Sequence, residues 1–237
     1  MTTRFSQYRE AFLRLIYPVV CPLCGTLPGF ESRSLCGKCH VRLESHAIAP
    51  DDAHQTFRKG PLAEAFSIFH YRAEVQTLLT RVKFASEIAF LEAFREYGAN
   101  FLLAHGLKTR YDYLVPVPLS LSRLLMRRFN QAEVLAQMFS SETGLSVRAD
   151  LKKIWQTPSQ SRLTREERGL NLQGCFKTKK APVPGAAILL VDDIFTTGAT
   201  AREAAKVLRA AGAAKVGVLT LAKTPEIITA RAGKAAH

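Results

Sequence analysis

An α/β architecture, with an open and mostly parallel sheet flanked by helices, is the fold class that this 237-residue sequence predicts. Three observations lead there. Strand-like and helix-like periodicities alternate from residue 65 onward, as in a chain of βα units. Two runs, Ala187 to Val191 and Val216 to Leu221, are almost wholly apolar, as strands buried on both faces require. The first run ends in two carboxylates and a Thr-Thr-Gly turn that opens an Ala-rich helix. That order places a polar loop at the carboxyl end of a strand, where open α/β sheets bind ligands.

The elements follow in chain order. Residues 4–17 set Phe5, Tyr8, Phe12, Leu15 and Ile16 at helical spacing, which predicts an amphipathic helix stopped before Pro18 and packed on the body or on a partner. Residues 18–45 hold four cysteines among Gly and Pro with little apolar material, so this segment needs a staple to fold. Residues 46–61 are polar, with Pro50, Asp51, Asp52 and Gly60, and read as a linker. A strand over Ala65 to Tyr71 and helices near 73–84 and 87–104 come next. Tyr113 to Val117 predicts a short strand closed by Pro116 and Pro118. Residues 130–143 read as a helix ending at Gly144, and 147–155 as a strand. Residues 156–174 are polar and charged and read as a mobile loop. Ala199 to Ala211 is helical with Gly212 just past its end, and the tail from Ala230 reads as frayed. The expected division is an N-terminal helix and cysteine unit over 1–45, a linker over 46–61, a sheet domain over 62–225 and a flexible tail over 226–237.

Hydrophobic residues make up 47% of the chain, enough for a core and inconsistent with wholesale disorder. No apolar run spans a bilayer, and the stretch from Ala11 to Val20 is interrupted by Arg14 and stopped by Pro18. No signal peptide is evident, so a cytoplasmic location is expected. The formal charge is +13, of which +7 falls within residues 120–180. A phosphate or polyanion site is expected there, the alternative being a solvated basic surface.

The segment Val191-Asp192-Asp193-Ile194-Phe195-Thr196-Thr197-Gly198-Ala199-Thr200 combines two opposed chemistries. Free N–H groups at the start of a helix hold a phosphate with help from the helix dipole. Thr196, Thr197 and Thr200 add hydroxyl donors, and Gly198 allows close backbone approach. Carboxylates repel phosphate, so Asp192 and Asp193 need another partner. Vicinal ribose hydroxyls can donate to them, and a hydrated Mg²⁺ can bridge them to substrate phosphates. A phosphorylated ribose satisfies both halves. The simpler alternative is a helix capped by Thr197 or Thr200 with acids at its dipole end.

Cys21-Pro22-Leu23-Cys24 and Cys36-Gly37-Lys38-Cys39 form two C-x₂-C pairs. Four thiolates suit a closed tetrahedral structural Zn²⁺ site of the zinc-ribbon kind. Two disulfides are the alternative, disfavoured in a chain without an export signal. His40 could replace Cys39 as a ligand. Cys175 stands alone and reads as an ordinary thiol.

The Asp-Asp…Thr-Thr-Gly-Ala-Thr run resembles the 5-phosphoribosyl-1-pyrophosphate (PRPP) signature of type I phosphoribosyltransferases. With the four-cysteine unit, Val115-Pro116-Val117-Pro118, Arg127-Arg128-Phe129-Asn130-Gln131-Ala132, Gln160 and Arg168-Gly169-Leu170-Asn171-Leu172, the chain from about Tyr17 to Leu221 resembles the ComF family. Arg128 departs from the family's Arg-Gly-Phe-Asn run, at a position where positive φ suits glycine better than arginine. The resemblance implies a type I phosphoribosyltransferase sheet with PRPP and Mg²⁺ as ligands. Asp192 and Asp193 become the candidate catalytic residues. Asp192, Asp193, Thr196, Thr197, Gly198, Ala199 and Thr200 become the phosphoribosyl-binding set. Ser120, Arg123, Arg127 and Arg128 would face the pyrophosphate, and Arg162, Arg165 and Arg168 would sit on a closing hood. It also implies a role in natural transformation, handling single-stranded DNA in the cytoplasm with helicase-like and recombination partners. Phe129, Trp155 and Phe176 are candidate stacking platforms for such a strand, the favoured alternative for each being a place in the core. The other readings are an active transferase on an unidentified base or amine acceptor, and a zinc-containing DNA-binding module with a vestigial pocket.

Overall fold

A computed structural model describes residues 20–27, 35–85, 87–154 and 172–225. The expected helix over 4–17, Trp155, the loop over 156–171 with Gln160, Arg162, Arg165 and Arg168, and the tail from 226 lie outside the described residues. Helix α1 (Gly37–Glu44) begins within the second cysteine pair. A 3₁₀ turn (Pro50–Asp52) leads to β1 (His54–Thr56) and β2 (Glu64–His70). There follow α2 (Ala73–Ala85), a 3₁₀ stretch (Ile88–Phe94), α3 (Arg95–Ala104) and the single turn α4 (Leu107–Arg110). Then come β3 (Tyr113–Pro116), α5 (Leu121–Arg127), α6 (Gln131–Thr143), β4 (Ser146–Val147) and β5 (Leu151–Lys153). The chain closes with β6 (Phe176–Thr178), β7 (Ala187–Phe195), α7 (Ala199–Ala210) and β8 (Lys215–Lys223).

The main sheet has the order β1-β2-β8-β7-β3-β4. All its pairs are parallel except the edge pair β1–β2. β5 and β6 form a separate antiparallel pair. The buried side chains divide by the two-residue period of the strands. Leu189 and Val191 of β7, with Leu219 and Leu221 of β8, pack under α2, α3 and α6. Ile188 and Leu190, with Val216 and Val218, pack under α7. Helix α7 lies close on the sheet because Ala201, Ala204, Ala205 and Leu208 recur at helical spacing on its buried side. No helix among the described residues is long and apolar enough to cross a membrane.

Local chemistry explains several boundaries. The Asn130 side chain accepts from the Ala132 N–H at 3.2 Å and donates to the Val117 carbonyl at 3.0 Å, so one residue both caps α6 and ties it to the end of β3. Gly144 ends α6 at φ +74° with its N–H on the Ser140 carbonyl.

Four expectations change. The segment 46–61 is not wholly irregular, because residues 54–56 pair with β2 as an edge strand. The helix expected over 87–104 starts as 3₁₀. Glu87 provides no side-chain cap there, and Leu91 and Phe94, both buried, fall on one face at a three-residue repeat. The strand expected over 147–155 is two short strands, because Asp150 is fully buried between them and accepts from Arg148 Nε at 3.1 Å. Finally, β7 continues past Val191 to Phe195, so the two acids lie on the strand and not in the loop.

Candidate functional site

The crevice forms at the carboxyl ends of β7 and β3, where the parallel order sets the β7–α7 turn opposite α5. Successive residues of a strand leave it on opposite sides, and the two acids do so. The Asp193 carboxylate pairs with Lys83 Nζ of α2 at 2.6 Å. Asp192 instead lines a small cavity with Thr196, Gly198, Thr200 and Thr220, and its Oδ1 accepts from the Asp193 N–H at 2.8 Å. Desolvation, then the neighbouring Asp193 charge, raises Asp192 to about 7, against the pull of that N–H, Lys83 and Lys153. The acids therefore do not present as one parallel pair. Each has its own environment, and Asp193 already has a cationic partner.

Gly198 sits at the N-cap of α7 with φ +72° and no side-chain cap bond. A Cβ there would come within 2.6 Å of the Phe195 ring, so both conformation and space demand glycine. The Thr197 hydroxyl, one residue before that N-cap, accepts from the Ala199 N–H at 3.3 Å. Arg202, one turn into α7, donates to the Thr197 carbonyl. The cavity over this turn measures about 10 Å³, room for about one water. The turn is thus compact, with the Phe195 ring against Gly198 and Arg202 on the Thr197 carbonyl.

The basic residues expected to face the pyrophosphate divide. Ser120 is the N-cap of helix α5, the first element after Pro118. Arg127 is half-buried and lies close enough to Asp193 for that charge to oppose the downward effect of burial on its pKa. It donates to Gln131 Oε1 at 3.4 Å. Arg123 lies near both Arg127 and Lys153. Arg128 is exposed at the C-cap of α5 and lines a different, open cavity of about 740 Å³ with Ile88, Leu124, Phe129 and Met138. It does take the left-handed conformation, φ +65°, that its position in the sequence implies. Phe176 is buried in the core and offers no stacking face, and Phe129 is packed against the core.

Two lysines belong to the crevice that sequence reasoning missed. Lys83 comes from the last turn of α2. Lys153, at the end of β5, has its pKa lowered by burial, with the thiol of Cys175 and the charged groups of Arg123 and Asp192 as its neighbours. Nothing local marks either one, since each reaches the crevice only through the fold.

The four N-terminal cysteines converge, with all Sγ atoms within 4.8 Å of one another. Tetrahedral thiolates about 2.3 Å from a zinc ion stand ~3.8 Å apart, so the donor set fits a thiophilic ion. The first pair sits on a knuckle in which the Gly25 N–H donates to the Cys21 carbonyl at 2.8 Å. In the second pair, Cys36 is the N-cap of α1 and Cys39 lies in its first turn. Hydrogen bonds from Thr26 lower Cys24 to about 6, and burial raises Cys39. The described cysteines are all free thiols, with no disulfide. His40 turns away from the cluster to the Tyr97 hydroxyl at 3.2 Å. Cys21, Cys39 and Leu43 join the same core as Phe69 and Leu78, and Arg81 donates to the Pro22 carbonyl.

Sheet order, strand-end crevice and glycine turn together define a phosphoribosyltransferase-type domain. Residues 130–231 match the phosphoribosyl transferase domain family. The cysteine unit and the remainder narrow this: the chain belongs to the ComF family. It is 29% identical over 218 residues to Competence protein ComFC of Bacillus subtilis (strain 168), covering 90% of this chain and 81% of that protein. It is 31% identical over 208 residues to DNA utilization protein YhgH of Escherichia coli O6:H1, covering 86% of this chain and 84% of that protein. Among solved structures, a glutamine PRPP amidotransferase from B. subtilis is 21% identical over 52% of this chain and 25% of that chain, with a TM-score of 0.36.

Proposed function

We propose that this protein binds PRPP, or a closely related phosphoribosyl ligand, with Mg²⁺ at the β7–α7 turn, and that it acts in DNA uptake during natural transformation. The relatives named for competence and DNA utilization, matched over most of their length, support the second part. The single observation that carries the first is the turn itself. A buried parallel strand carries Asp192 and Asp193 near its carboxyl end, and a glycine at φ +72° then opens a twelve-residue helix. The amides of Ala199 and Thr200 and the hydroxyls of Thr196, Thr197 and Thr200 receive the 5′-phosphate. Asp192 and Asp193 accept from the ribose hydroxyls. Arg123 and Arg127 face the pyrophosphate, whose Mg²⁺ supplies charge neutralisation. Arg162, Arg165 and Arg168 supply further contacts to the phosphates.

The four cysteines hold Zn²⁺ as a structural ion and take no part in chemistry at the sugar. The cysteine unit over 1–45 and the sheet domain over 62–225 act together in the cytoplasm. Their partners are single-stranded DNA and the helicase-like and recombination proteins that receive it.

Calorimetric titration with PRPP and Mg²⁺ tests the ligand. The wild-type chain is expected to bind, and the double variant Asp192→Asn, Asp193→Asn to lose binding by at least ~100-fold, since each carboxylate hydrogen bond is worth about 1.5–3 kcal/mol. Absence of heat from the wild-type chain at millimolar PRPP would sink the ligand assignment.

A further inference from the structure

We infer that Lys83 is an exchanging cation of the crevice. In the ligand-free chain it holds Asp193, and with a diphosphorylated sugar bound it turns to the diphosphate and frees Asp193 for the ribose. This rests on the phosphoribosyl reading and adds a residue and a step to it.

Four observations carry the inference. Lys83 Nζ stands 2.6 Å from Asp193 Oδ2, with the two side chains only 18% and 16% exposed. Its position near the end of α2 would let it serve simply as a charge complementing the helix dipole. It instead leaves its own helix for the end of β7, so its partner belongs to the crevice. Second, the pair lies on the side of β7 away from α7, because Asp192 and not Asp193 lines the cavity under the Thr196–Thr200 turn. Third, the Asp193 charge acts on Arg127 closely enough to oppose the effect of burial on its pKa, so a second cation shares the neighbourhood of the carboxylate that Lys83 holds. Fourth, the buried Gln131, whose carbonyl meets Arg127, has an Nε2 donor with no hydrogen-bond partner among the described residues.

Two cations and a spare amide donor exceed what one carboxylate needs. They match a diphosphate, which offers several oxygens and more than one charge. The β7–α7 turn already accounts for a single phosphate. The ligand then lies across the end of β7. Its 5′-phosphate is at α7, its ribose over the two acids and its diphosphate at Lys83 and Arg127. No covalent step is involved, since the lysine exchanges one anionic partner for another.

The test compares ligands with and without the diphosphate. Wild-type chain, Lys83→Met and Lys83→Arg are titrated calorimetrically with PRPP and with ribose 5-phosphate, each with Mg²⁺. Melting curves confirm that the variants fold. Lys83→Met is expected to weaken PRPP by about 10- to 100-fold, the equivalent of one charge-assisted hydrogen bond. Ribose 5-phosphate should change by less than about threefold, and Lys83→Arg should recover most of the PRPP affinity. Equal losses for both ligands would show that Lys83 only positions Asp193, and no loss for either would show that it is a bystander; both overturn the inference. A wild-type chain that binds neither ligand instead removes the phosphoribosyl reading beneath it.

Discussion

At the scale of single residues, the local price of a side chain is clearest at Arg128. It ends α5 in the left-handed region, its N–H bonded to the Leu124 carbonyl at 2.7 Å. An L-residue there costs ~1–2 kcal/mol relative to the ordinary helical region. Its side chain is exposed, so little is recovered by packing. Arg128→Gly is therefore expected to stabilise the chain by about 0.5–1 kcal/mol, read as a raised urea midpoint with an unchanged slope. The strain estimate exceeds this gain because glycine gives back part of it through its freer unfolded state. A lowered midpoint would mean that the guanidinium makes contacts worth more than the strain. Gly198 is the opposite case, since there glycine already satisfies both the positive φ and the Phe195 ring against it.

At the scale of elements, the cysteine knuckle and α1 form a unit too small to build a core alone. Leu43 and Cys39 lend it the core beneath β2 and α2, and a bound ion would fix the knuckle to the start of α1. Removing zinc with a chelator is expected to lower the melting temperature by roughly 5–10 °C, given that ~1 kcal/mol moves Tm by about 2–4 °C at this size. Unfolding of the whole chain at room temperature is not expected, because the sheet has its own core. Scanning calorimetry with and without chelator checks this, and an unchanged transition would remove the structural role of the ion. The β7–α7 connection shows a second property of elements. The strand runs on to Phe195 because its backbone pairs with β8 as far as Lys223, and this carries the acids out of the loop and separates their side chains.

For the whole molecule, Glu64 ties distant parts together. Its carboxylate, 4% exposed, meets Lys215 of β8, the Tyr111 hydroxyl, His54 of β1 and Arg110 of α4. Tyr111 reaches it over Gly217, where a Cβ would lie 2.0 Å from the hydroxyl. Burial pushes the Glu64 carboxyl up, and the bonds from Lys215, Tyr111 and His54 outweigh it and hold it at about 2. The folded value lies below the unfolded one of roughly 4.3. The stabilisation is therefore fully present above that unfolded value and is lost as pH falls toward 2. Glu64→Gln is expected to cost on the order of 2 kcal/mol at pH 7. The gap to wild type should close between about pH 4 and pH 2 in urea titrations. A gap independent of pH would mean that shape and not charge holds the network.

Much of this architecture is legible in short windows of the chain. The apolar runs of β7 and β8, Asn130 and Gly144 at the ends of α6, Gly212 after α7 and the C-x₂-C pairs each announce themselves within a few residues. Strand periodicity, helix capping and thiolate spacing are local chemistry, and the sequence by itself determined the fold class, the glycine turn and the cysteine cluster. Tertiary structure alone decided which side chains meet. Lys83 at Asp193, Lys153 beside Asp192, Tyr111 over Gly217 and the four partners of Glu64 all depend on strand order and on which face each residue takes. Those are consequences of long-range pairing, in which residues far apart in the chain become neighbours. No local pattern encodes such a meeting, because the free energy that selects it is shared across the whole sheet.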